Sequence, residues 1–137
     1  MRLIAALISG LVLVACQEAR APEVVDVPKV HDMADYSAEL ARFVRIETGM
    51  HRDTAEAEIR TYFGGEVSGG SLPIFNTKTL PSGEFQIVAT RDGLTDDSIK
   101  GERLIARFSN DILTAYGMRV KCYRGPNPDK WTASRCP

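Results

Sequence analysis

Residues 102–122 read ERLIARFSNDILTAYGMRVKC, and two alternations run through them. Leu104, Ala106 and Phe108 alternate with Ile105, Arg107 and Ser109. Tyr116, Met118, Val120 and Cys122 alternate with Gly117, Arg119 and Lys121. Period-two patterning places each set on one face of a strand. Asn110-Asp111 lies between the two runs, where residues that tolerate positive φ make a tight hairpin turn. Upstream, Phe85, Ile87 and Ala89 alternate with Gln86, Val88 and Thr90, which supplies a third strand. Before the strands the period changes. Tyr36, Leu40, Phe43 and Val44 share one face of a helix that Gly49 would stop. A second helix opens with Asp53 and Glu56 at N-cap and N3 spacing, carries Ala55, Ile59, Tyr62 and Phe63 as its stripe, and ends at Gly64-Gly65. Two short helices cannot bury their stripes alone. The expected fold is therefore α+β, with two short N-terminal helices packed on one face of a three- to four-stranded antiparallel sheet.

Two connections are informative. Asp92, Asp96 and Asp97, with Glu102, place several carboxylates close together. Calcium wants six to eight oxygens, yet the EF-hand spacing is missing and adjacent aspartates need not converge. Turn-forming and capping roles are expected instead, so no metal site is assigned. Residues 64–84, GGEVSGGSLPIFNTKTLPSGE, form a long Gly- and Pro-rich stretch. Connections of that length are usually functional or disordered. Leu72, Ile74 and Phe75 interrupt it with apolar side chains, which either add a strand to the core or serve as contacts for a partner.

The first sixteen residues, MRLIAALISGLVLVAC, begin with one cation and continue as an apolar run. The run is shorter than the roughly 20 residues that span a bilayer, and its build is that of a secretory signal. Leu13-Val14-Ala15-Cys16 resembles the lipobox of bacterial lipoproteins. That resemblance implies cleavage after Ala15 and lipidation of Cys16, and Gln17 implies sorting to the outer membrane. The expected organisation is a signal peptide over 1–15, a lipidated tether over 16–34 and a single domain over 35–137. Pro22 and Pro28 keep the tether extended, and the alternative is a short edge strand through Val24, Val25 and Val27. Each buried acyl methylene contributes about 0.8 kcal/mol to membrane residence.

With Cys16 assigned to lipid, Cys122 and Cys136 remain. In an oxidising envelope they are expected to form a disulfide; free thiols for metal or redox work are the alternative, without a CxxC spacing to support them. Seventeen Lys and Arg against 18 Asp and Glu give a net charge of −1, which argues against a nucleic-acid coat. Two histidines, His31 and His51, have no serine or cysteine in a recognised nucleophile motif, and no phosphate-binding or dinucleotide motif occurs. No enzyme activity, cofactor or small-molecule substrate is expected.

The stretch Thr90–Ser98, TRDGLTDDS, with Trp131 and Cys136 near the end, is similar to a group of small bacterial envelope proteins that carry T-R-D-G-L-x-D-D-S. The order of lipobox, tether, Thr48-Gly49-Met50, a Gly-ended helix and a meander resembles the SmpA/OmlA outer-membrane-assembly lipoproteins. That resemblance implies a non-catalytic scaffold facing the periplasm and binding an envelope protein or the cell wall. An inhibitor or immunity-type protein that blocks a hydrolase is the alternative.

Overall fold

A computed structural model describes residues 32–65 and 72–137. Five antiparallel strands pair in sequence order: β1 (Ile74–Thr79), β2 (Phe85–Asp92), β3 (Ile99–Ser109), β4 (Ile112–Cys122) and β5 (Trp131–Thr132). One helix, α1 (Arg52–Gly64), precedes them. The α+β class therefore holds. The strand count exceeds the expected three to four, and only one of the two expected α-helices is present among the described residues.

Strand alternation sets the two faces. Ala89, Leu104 and Met118 are cross-strand partners, as are Ile87, Ala106 and Tyr116. These rows face α1, whose Ala55, Ile59 and Phe63 are buried against them. A core residue such as Ile59 or Leu104 removes about 1.5–3 kcal/mol worth of apolar surface from water. Asn110 and Asp111 both have positive φ, 49° and 60°, and close the β3–β4 hairpin where the sequence placed it. The helix begins earlier than its capping pattern suggests. His51 is the N-cap, and its Nδ1 accepts the Asp53 N–H at 3.4 Å, so Asp53 lies inside the first turn.

The segment expected to be the first helix has another commitment. A 3₁₀ turn, Met33–Asp35, leads into Tyr36, which is extended. The N–H of Ser37 donates to the Met118 carbonyl at 3.0 Å, and the Met118 N–H donates back at 2.9 Å. Pairing with the β4 edge is incompatible with helical dihedrals through residue 37. Residues 38–44 then follow as i→i+3 turns, with Ala41 donating to Ala38 and Val44 to Ala41, until Arg45 takes φ 58°. The chain thus crosses the sheet edge at Ser37. Tyr36 packs with Val88 and Ile105 on the face away from α1, while Ala41 and Val44 join the core on the α1 face. Gly117 permits the crossing, because a Cβ there would lie 2.7 Å from the Tyr36 Cβ.

Candidate functional site

Near the C-terminal end of α1 the apolar face turns polar. Arg91 and Glu102 continue the inward alternation of β2 and β3 and are direct cross-strand partners. Arg91 Nε and Nη2 donate to Glu102 Oε2 at 2.8 and 2.6 Å, and both side chains are only 9% exposed. Arg91 Nη1 also donates to the Tyr62 carbonyl at 3.2 Å, at the helix terminus, where unpaired carbonyls need donors. The Tyr62 hydroxyl donates to Glu102 Oε1 at 3.1 Å, and the Arg91 guanidinium lies over the Tyr62 and Phe63 rings. Both carboxylate oxygens are engaged, so the arrangement works as a clamp between helix and sheet. Burial, with the nearby Glu102 charge, pushes the Tyr62 hydroxyl up to about 12.

Beside this clamp is a groove of about 230 Å³. Tyr62, Glu102, Met118 and Val120 line it, with Leu40 and Phe43 from the turn segment and Ile99 from β3. Phe43 is 64% exposed, and Arg42 lies 4.7 Å from its ring centroid. Chemically the groove offers apolar walls, one tyrosine hydroxyl and a carboxylate already held by arginine. Among the described residues no group of three or more His, Cys, Asp or Glu is arranged to hold a metal ion.

The residues singled out in the sequence fall in several places. Cys122 and Cys136 are joined by a disulfide that ties β4 to the C-terminal tail, with a Cα separation of 5.5 Å. Cys16, His31 and the tether valines lie outside the described residues. Leu72, Ile74 and Phe75 do not act as a set. Phe75 points to the α1 face, 6.4 Å from the Phe63 ring centroid with Arg60 over it, whereas Ile74 is 59% exposed and Leu72 87%. Ile74 and Phe75 open β1, an edge strand, and Leu72 precedes it, so the apolar tetrad Leu72-Pro73-Ile74-Phe75 is partly core and partly surface.

The acidic stretch serves as turn chemistry. Asp92 Oδ1 accepts the Gly93 N–H at 2.9 Å and its other oxygen pairs with Lys121. Burial alone would raise the Asp92 carboxyl, but Lys121 and the Gly93 N–H outweigh it and hold it low. Asp96 Oδ1 accepts from the Ser98 and Ile99 N–H groups at 2.9 and 3.2 Å, which also holds that carboxyl below its ordinary range. Glu102 faces the other way, onto the α1 side.

Sequence reasoning missed the Arg91–Glu102 pair, although the signal was present. Extending the inward series Phe85, Ile87, Ala89 by one step reaches Arg91, and extending Leu104 back by one reaches Glu102. Compared with protein families, curated proteins and solved structures, the chain matches none.

Proposed function

We propose that this protein is a non-catalytic, lipid-anchored protein of the bacterial outer membrane that faces the periplasm and binds another envelope component. The lipobox-like Leu13–Cys16 supports the anchor. The Cys122–Cys136 disulfide fits an oxidising compartment. The observation that carries the binding role is the exposure of Leu72 and Ile74 at the start of an edge strand. An outermost strand presents backbone donors and acceptors that an extended partner segment extends by strand addition, and flanking apolar side chains give such pairing its specificity. The partner's contacting segment is accordingly extended and apolar at the positions opposite Leu72 and Ile74.

Affinity capture of the lipidated protein from gently solubilised envelopes tests this reading. A stoichiometric partner is expected, its recovery falling by about tenfold or more in Leu72→Asp and Ile74→Asp. Their thermal midpoints should match the wild type, because neither side chain is buried. Phe75→Asp should instead unfold the protein, since it removes a ring packed on Phe63. Undiminished capture by the two exposed-site variants would refute the edge-strand surface. A Cys16→Ser protein that stays with the membrane fraction would refute the anchor.

A further inference from the structure

On the sheet face opposite α1, two arginines, Arg103 and Arg119, have no carboxylate partner among the described residues. Residues 99–137 contain eight Lys and Arg but only three acids. Each acid is already engaged: Glu102 with Arg91, Asp111 with Arg52, and Asp129 with Lys100. From outside the segment, Asp92 holds Lys121 and Glu39 holds Arg135. Arg103 and Arg119 lie directly opposite one another across β3 and β4. Like charges in that relation destabilise a sheet.

The hydrogen bonds of this pair go to neutral acceptors. Arg103 Nε donates to Thr90 Oγ1 at 3.1 Å, and Arg119 Nη2 donates to the Trp131 carbonyl at 2.9 Å. Arg119 Nε is buried and has no hydrogen-bond partner among the described residues. Neither guanidinium has a carboxylate partner among those residues. Two aromatic rings hold the cations in place instead: Arg103 lies 4.4 Å from the Trp131 centroid and Arg119 5.6 Å from that of Tyr36. Rings in those positions restrict the arginine rotamers without cancelling their charge.

We propose that Arg103 and Arg119 form a binding site for a phosphate group, held as a ligand and not chemically converted. Two adjacent planar forks match a tetrahedral anion with several acceptor oxygens better than they match a single carboxylate. A dianion also relieves the repulsion between the two guanidinium groups. Trp131, half-buried at the margin, offers a surface for the organic part of a phosphate ester.

Calorimetric titration of the lipidated mature protein in neutral detergent tests the site, at low ionic strength, with inorganic phosphate, glycerol 1-phosphate and glucose 1-phosphate in turn. Saturable binding is expected. It should weaken about tenfold or more in Arg103→Gln and in Arg119→Gln and persist in Arg60→Gln, which removes a cation from α1 instead. Arg119→Lys keeps the charge but loses the fork, so it too should weaken binding while guarding against misfolding. Stronger binding of the glycerol ester would point to a phospholipid headgroup, and of the glucose ester to a phosphorylated saccharide. Absence of saturable heat with all three probes would overturn the site. Equal loss in Arg60→Gln would also overturn it, by showing only diffuse attraction.

Discussion

Residues 102 and 103 are neighbours on β3, yet the two faces of the sheet treat their charges in opposite ways. Toward α1, Glu102 meets Arg91, and the pair is buried, saturated with hydrogen bonds and capped by Tyr62. Toward the other face, Arg103 meets Arg119, and neither has a carboxylate partner among the described residues. Alternation alone assigns each side chain to its face. What differs among the described residues is the covering: α1 packs on one side, while Tyr36 with Met33 packs on Val88 and Ile105 on the other. A charge under a helix must be paired to be tolerated. On the other face Arg103 and Arg119 are held by neutral acceptors and aromatic rings, the arrangement from which the phosphate site is proposed.

This contrast is open to direct attack. The largest effect should come from Glu102→Ala, which leaves Arg91 buried without its carboxylate; a loss of about 3–5 kcal/mol is expected in urea unfolding. A loss under about 1 kcal/mol would mean that the clamp contributes little to the fold.

The next effect is a pH dependence. The Tyr62 hydroxyl is raised from 10 to about 12 by burial and by the Glu102 carboxylate. The unfolded chain therefore ionises this group first. The stabilisation is complete below pH 10 and is lost as pH rises toward 12. Stability measured across that interval should fall more steeply for the wild type than for Tyr62→Phe, and parallel curves would disprove the coupling.

The smallest effect belongs to the face opposite α1. Arg119→Gln should shift stability by no more than about 0.5 kcal/mol, since relief of repulsion offsets the lost contact with the Trp131 carbonyl. A loss as large as that of Glu102→Ala would show the two faces to be equivalent.

The sequence made the central strands readable because their information is local. Period-two runs at 85–90, 104–109 and 116–122, with Asn110-Asp111 between the last two, locate three strands and one turn without any distant contact. Helix α1 was readable for the same reason, through Ala55, Ile59 and Phe63. The stretch from Tyr36 to Val44 has an equally good helical period, yet it folds as turns because Ser37 bonds to Met118, 81 residues away. Nothing within the stretch encodes that partner. Strand β5, two residues long, was hidden likewise, whereas β1 was one of two readings that the apolar side chains at 72–75 left open. Of the candidate surface, the apolar tetrad was visible in the sequence but not its division, since only the register Phe75↔Ala89 shows which side chain turns inward. The opposed arginines depend on the β3–β4 register, which contains bulges that no alternation rule supplies.

The two-bond link between Ser37 and Met118 also determines how the domain bears mechanical load. Among the described residues, tension drawn through the N-terminal side reaches Tyr36 and Ser37 before it reaches any strand of the sheet. Two backbone bonds and one tyrosine packed over Gly117 resist first, and the turns over 38–44 are then held by Ala41 and Val44 in the core. At the opposite terminus the tail is fastened covalently to β4 through Cys136. Within the described domain the N-terminal crossing is thus held by hydrogen bonds and packing alone, whereas the tail is held by a covalent bond, so under load the crossing yields first.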